Sequence, residues 1–174
     1  MSYFLAFYGD DFTGSTDVME ALTLGGVPTV LLLEPLPLEE VKKQFPHAKA
    51  IGIAGTSRSM TNVQMDEILP KMFKYLKSYK AEFVHYKICS TFDSSPEIGS
   101  IGHALELALR EFPETPVPMV VGAPVLKRYV VFGNLFATVQ DKTHRLDRHP
   151  TMSVHPVTPM RESDLRLHLA KQTS

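Results

Sequence analysis

A single cysteine, Cys89, stands in 174 residues, which excludes an intramolecular disulfide and leaves no cysteine set for structural zinc. The formal net charge is -1, from 18 basic and 19 acidic residues, so no long-range field draws the chain to nucleic acid or an anionic membrane. Apolar stretches such as residues 30–33, between Pro28 and Pro35, are far too short to span a bilayer. The first residues lack the basic and apolar regions of a secretion signal, which points to a reducing cytoplasm. No G-x-x-x-x-G-K-[ST] loop is present and no G-x-G-x-x-G follows an apolar run, so a Walker nucleotide site and a dinucleotide fingerprint are both missing. None of the seven histidines forms the i, i+4 helical pair that zinc hydrolases use, and no metal site is expected.

What is present is an alternation of short apolar runs with amphipathic stretches. Strands are expected at residues 3–8, 29–33, 49–54, 82–87 and 117–121, and helices at 15–25, 38–45 and 63–79. In the third helix Met65, Ile68, Met72, Leu76 and Tyr79 recur on one face. A fourth helix face is marked by Ile98, Ile101, Leu105, Ala108 and Phe112, with Ser95 and Pro96 as its start. This rhythm implies βαβ units, hence a three-layer α/β fold whose open, mainly parallel sheet has helices on both faces. After Gly122 a β-hairpin turns at Gly133-Asn134, and residues 140–159 read as an extended loop. A last helix starts at Pro159 behind Thr158, or later at Ser163, and runs to Ser174 without a glycine cap. The size suits one domain, 1–174, and the abrupt end suggests a chain cut before a further domain.

The densest cluster of polar chemistry is Gly9-Asp10-Asp11-Phe12-Thr13-Gly14, at the carboxyl end of the first strand. Ligands of open parallel sheets bind along that edge. The same edge collects Thr56-Ser57-Arg58 after the third strand, and Lys87, Ser90, Thr91 and Asp93 after the fourth. Arg58 can fork onto a carboxylate, Lys87 can neutralise it, and Asp10 and Asp11 can accept hydrogen bonds from sugar hydroxyls. Thr13, Gly14, Ser57, Ser90, Thr91 and Asp93 complete a set suited to a small polyhydroxy acid. Each has a plainer reading: Asp11 or Thr13 as a helix cap, Arg58 as a solvated surface group, Lys87 with its stem along the sheet edge, and Cys89 as a small buried apolar residue. Adjacent aspartates repel one another, and they would also repel a phosphate that helix amides alone would welcome.

Tyr8-Gly9-Asp10-Asp11-Phe12-Thr13-Gly14-Ser15-Thr16-Asp17, Thr56-Ser57-Arg58-Ser59, Tyr86-Lys87 with Ser90-Thr91, and His155-Pro156-Val157-Thr158-Pro159-Met160 together resemble the four-carbon acid sugar kinase family. The resemblance covers nearly the whole chain. It implies the N-terminal sugar-acid-binding domain of a cytoplasmic transferase that phosphorylates tetronates or related acids with ATP. ATP and Mg2+ would be held by a C-terminal nucleotide-binding domain, the expected partner, and nothing excludes a homo-oligomer. Asp10 or Asp11 would accept the proton of the attacked hydroxyl, Arg58 and Lys87 would hold the substrate carboxylate, and Ser90 and Thr91 would assist. Many relatives carry a Lys-x-Asp-Ser-Thr-Leu-Arg-Gly-Asn segment, whereas here Cys89 takes the Asp position and Asp93 is the candidate replacement. That departure points to a different acid sugar or a divergent subgroup. Two other functions fit the residues: a non-catalytic module for a small organic acid, and a magnesium-dependent hydrolase using Asp10 and Asp11 as ligands.

Overall fold

The computed structural model describes residues 2–113 and 116–173. They divide into two compact units with interleaved segments, Met1–Ser57 with Val63–Ile88, and Arg58–Asn62 with Cys89–Ser174.

The first unit is built on four parallel strands, β1 (Leu5–Gly9), β2 (Thr29–Leu32), β3 (Ala50–Ala54) and β4 (Phe83–Lys87), in the order β2-β3-β1-β4. The central strands β1 and β3 are buried almost throughout, as the near-continuous apolar runs of strands covered on both faces require. Phe7 pairs with Gly52, where any β-carbon would overlap its ring, so the aromatic side chain fills space its neighbour leaves open. Helices α1 (Phe12–Leu24), α2 (Leu38–Gln44) and α3 (Asn62–Ser78) connect the strands. Gly25 ends α1, its N–H donating to Ala21 O, and α2 carries Glu39 and Glu40 in its first turn and Lys42 and Lys43 in its last, the polarity that the helix dipole favours. In α3 the buried stripe is Met65, Leu69, Phe73 and Leu76; the expected Ile68 and Met72 lie beside it, only partly buried. Beyond α3, Tyr79 donates its hydroxyl to Leu36 O at 2.9 Å, and burial pushes its pKa to about 12.

The second unit contains α4 (Ile101–Glu111), an antiparallel sheet of β5 (Arg128–Val131), β6 (Asn134–Val139) and β7 (Lys142–Arg145), and the short α5 (Leu165–Leu169). Here the structure corrects several expectations. Residues 117–121 form no strand and 116–120 are exposed, because Pro116 and Pro118 lack the N–H groups a ladder needs. Ser95 does not start α4: its hydroxyl accepts from Ile98 N at 2.9 Å in a tight turn, and Ser100 caps the helix by accepting from His103 N. The hairpin exists but turns on Phe132 and Gly133, both with positive φ, as the favoured two-residue hairpin turn demands. The expected loop at 140–159 holds β7 and two short 3-10 turns. Helix α5 begins at Leu165 behind Asp164, which accepts from Arg166 N, rather than at Pro159.

Candidate functional site

Register brings three strand ends of the first unit side by side. Gly9 is the partner of Ala54 on one side and of Lys87 on the other. The residues that follow therefore leave the sheet at one level: Asp10 and Asp11 after β1, Gly55 to Ser57 after β3, and Ile88 after β4. Asp10 is buried at 3% exposure, and its N–H donates to Lys87 O at 3.0 Å.

Asp11 caps α1. Its backbone is extended, its Oδ1 accepts from Gly14 N at 2.7 Å, and its carbonyl accepts from Ser15 Oγ at 2.6 Å. The plainer reading of this residue is thus part of the structure, and it leaves the carboxylate at the carboxyl end of β1. A β-carbon on Gly14 would lie 2.7 Å from that Oδ1 and 3.5 Å from Lys87 Nζ, so glycine is what lets carboxylate and ammonium approach this turn together. Lys87 Nζ donates to Ile88 O at 3.0 Å and pairs with Asp17 Oδ2 at 3.4 Å. Thr13 is exposed on the first turn of α1.

Ser57 is fully buried. Its hydroxyl shares a 2.8 Å hydrogen bond with Tyr86 Oη, and the Tyr86 ring stacks on Tyr8 at 5.7 Å between centroids. Burial raises the Tyr8 phenol above its ordinary pKa, while hydrogen bonds from Ser57 and the Thr56 backbone pull it back. The Ser57 hydroxyl thus ties the chain after β3 to Tyr86 of β4. Tyr8 and Tyr86 stand in separate motifs of the sequence, and only register reveals that they are partners.

Arg58, Ser90, Thr91 and Asp93 belong to the second unit. Arg58 lies in a 3-10 turn, Ser57–Ser59, and the chain behind it is tied to the loop before α4: Gly99 N donates to Met60 O at 2.8 Å and Asn62 Nδ2 to Pro96 O at 2.9 Å. Thr91 Oγ1 donates to Asp93 Oδ1 at 2.7 Å and contacts Cys89 Sγ at 2.9 Å. Because the single Thr91 proton goes to Asp93, the thiol donates to Thr91, and Cys89 is joined to Asp93 through one hydroxyl. Thr91 and Asp93 are buried, and Ser90 is half-buried. Phe92 is fully buried with φ 59°, a conformation unfavourable for a bulky residue and held only by close packing. The Ser94 hydroxyl donates to Phe92 O at 3.0 Å, receives Gln172 Nε2 at 2.8 Å and meets His168 Nε2 at 3.0 Å.

No group of three or more His, Cys, Asp or Glu side chains suited to a metal ion occurs among the described residues. No helix among them is long and apolar enough to cross a membrane.

An α/β unit with acidic and basic groups at coincident strand ends has the architecture of a small-molecule binding domain. Residues 5–174 match the family described as the sugar-binding N-terminal domain, and the chain belongs to that family. It is 57% identical over 98% of its length to a 3-oxo-isoapionate kinase from Paraburkholderia graminis, of which it covers 36%. With the 3-oxo-tetronate kinase of Methylobacterium radiotolerans it shares 31% identity over 99% of its length, covering 39% of that protein. Among solved structures it matches Haemophilus influenzae protein HI1011 at TM-score 0.79 and 28% identity, over 97% of this chain and 39% of that one. A Salmonella typhimurium LT2 structure matches at TM-score 0.87 and 27% identity, over 100% of this chain and 39% of that one. The chain thus spans well under half the length of the curated relatives it matches.

Proposed function

We propose that the chain is the acceptor-binding part of an ATP-dependent kinase acting on a 3-oxo sugar acid, of the 3-oxo-isoapionate kind ahead of the 3-oxo-tetronate kind. The 57% identity to the isoapionate enzyme, against 31% to a tetronate enzyme, carries the choice of acid. The strand-end cluster supports the chemistry. Asp10 or Asp11 accepts the proton of the attacked hydroxyl while the other holds a neighbouring hydroxyl, and Lys87 neutralises the substrate carboxylate. Arg58, Ser90, Thr91 and Asp93 are assigned to substrate affinity in the same proposal, with Thr13 and Gly14 shaping the first turn. ATP with Mg2+ would supply the phosphoryl group; among the described residues no group of three or more His, Cys, Asp or Glu side chains suits a metal ion. The nucleotide-binding domain corresponds to the part of the relatives that this chain does not span, and the bacterial cytoplasm is its setting.

Calorimetry on the chain tests the acceptor. The expected result is binding of 3-oxo-isoapionate at least about tenfold tighter than 3-oxo-tetronate, a difference of about 1.4 kcal/mol. Equal affinities overturn the choice of acid, and binding of neither overturns the sugar-acid reading. The reading frame beyond Ser174 tests the kinase: a stop codon there sinks it for the natural chain. Where the frame continues, Asp11→Asn in the longer protein is expected to lower kcat by about 100-fold or more with little change in affinity, because asparagine caps a helix as well as aspartate does. An undiminished kcat transfers the role of base to Asp10.

A further inference from the structure

We infer that Asp17 is a positioning residue, holding the Lys87 ammonium over the first turn of α1 where it can receive the carboxylate of an acidic ligand. This rests on the reading of Lys87 given above. Lys87 ends β4, and the place a β-carbon would take on Gly14 is 3.6 Å from its Cγ and 3.5 Å from its Nζ. The lysine stem therefore lies along the helix at the one position that offers no side chain. Gly14 and Asp17 are three residues apart on α1, hence on one face, and Asp17 Oδ2 takes the ammonium at 3.4 Å where the stem ends.

Packing alone does not account for this placement. A helix N-terminus carries partial positive charge and disfavours a cation, and a lysine on a flexible four-carbon stem could turn to water instead. The Lys87 side chain is nevertheless 18% exposed, and Asp17, 47% exposed, lies at its tip. An exposed ion pair of this kind contributes little stability; its consequence is geometric. Ile88 O accepts one of the three ammonium N–H groups, and the Asp17 carboxylate lies in ion-pair contact at 3.4 Å without a hydrogen bond. The ammonium therefore keeps donor capacity for an anion.

The test is binding of threonate and of its neutral amide to the wild type and to Asp17→Asn, Asp17→Glu and Lys87→Met. Asp17→Asn is expected to weaken threonate roughly five- to twentyfold, the scale of one charge-assisted hydrogen bond, and to leave the amide within about twofold. Asp17→Glu should recover most of the loss, and Asp17→Asn should have no further effect in the Lys87→Met background. Equal weakening of acid and amide, no recovery with glutamate, or additive losses overturn the inference. If Lys87→Met weakens threonate and Asp17→Asn does not, the inference alone fails. If Lys87→Met leaves threonate affinity intact, or the wild type does not bind the acid, the reading of Lys87 fails and Asp17 falls with it.

Discussion

The two units of this chain are held together by different physics. In the first, a parallel sheet with buried central strands carries the structure: Ala6, Phe7, Ile51 and Ile53 are at or near zero exposure, and the backbone ladder satisfies their amides. In the second, loops are fastened by side chains. The Ser94 hydroxyl joins Phe92, His168 and Gln172; Thr173 reaches Glu106 at 2.5 Å; and His149 Nδ1 accepts from Thr151 N and Met152 N at 3.2 Å each. Apolar burial tolerates changes of pH and punishes loss of volume. A network of buried hydroxyls and imidazoles does the reverse, and loops so fastened can take shapes that a sheet cannot.

The largest effect should come from the first unit's core. Phe7→Ala removes a ring packed over Gly52, and a loss of roughly 3–5 kcal/mol is expected in chemical denaturation. A loss below about 1 kcal/mol would mean that the sheet is not the dominant source of stability there. Next comes His168→Ala in the second unit. It removes the ring edge on Phe92, 5.8 Å between centroids, and leaves Ser94 without one partner. A cost of about 2 kcal/mol is expected, seen as faster hydrogen exchange in residues 89–100. Unchanged exchange there would show that the loop is held by packing alone.

How much of this was legible beforehand follows from the same contrast. β1 and β3 announced themselves as apolar runs, and Asp10, Asp11 and Lys87 could be placed at strand ends because an α/β rhythm fixes which end of a strand faces ligands. The strand β7 could not be read: Lys-Thr-His-Arg has no apolar alternation, and its turn uses Gln140 at φ 52° with no glycine to mark it. Residues 117–121 misled in the opposite sense, being apolar enough for a strand but flanked and interrupted by prolines. Ser95 and Ser100 are equally good cap residues in sequence, and only the turn closed on Ile98 decides between them. Within the site, the roles of Asp17 and of the Tyr8, Ser57 and Tyr86 group depend on strand register and on Gly14, which no local pattern reveals.

Two smaller effects sharpen the contrast further. Asp11→Ala removes the α1 cap and should cost about 1 kcal/mol, whereas Asp11→Asn keeps a capping oxygen and should cost less, so thermal melting of the pair separates the cap from the charge. The pH response is directional. His149 and His168 are both buried in the second unit and have pKa values below the ordinary 6.5, chiefly through burial, with Arg128 and His144 adding to the effect at His149 and Lys171 at His168. Between their lowered values and 6.5 the unfolded chain binds more protons than the folded one, so stability rises with pH across that window. It is full above the ordinary value, falls as the medium acidifies, and levels off once both rings are charged in the folded state too. Asp164, held at about 2 by Arg166, titrates below this range. His85 in the first unit shifts in the same direction, but it stands exposed on β4 at the edge of the sheet and should contribute less. Acidification from about pH 7.5 to about pH 5 should therefore deprotect amides of residues 146–169 before those of β1 and β3, with exchange rates corrected for intrinsic pH dependence. Equal protection loss in both regions, or a gain on acidification, would show that the buried imidazoles do not set the stability of the second unit.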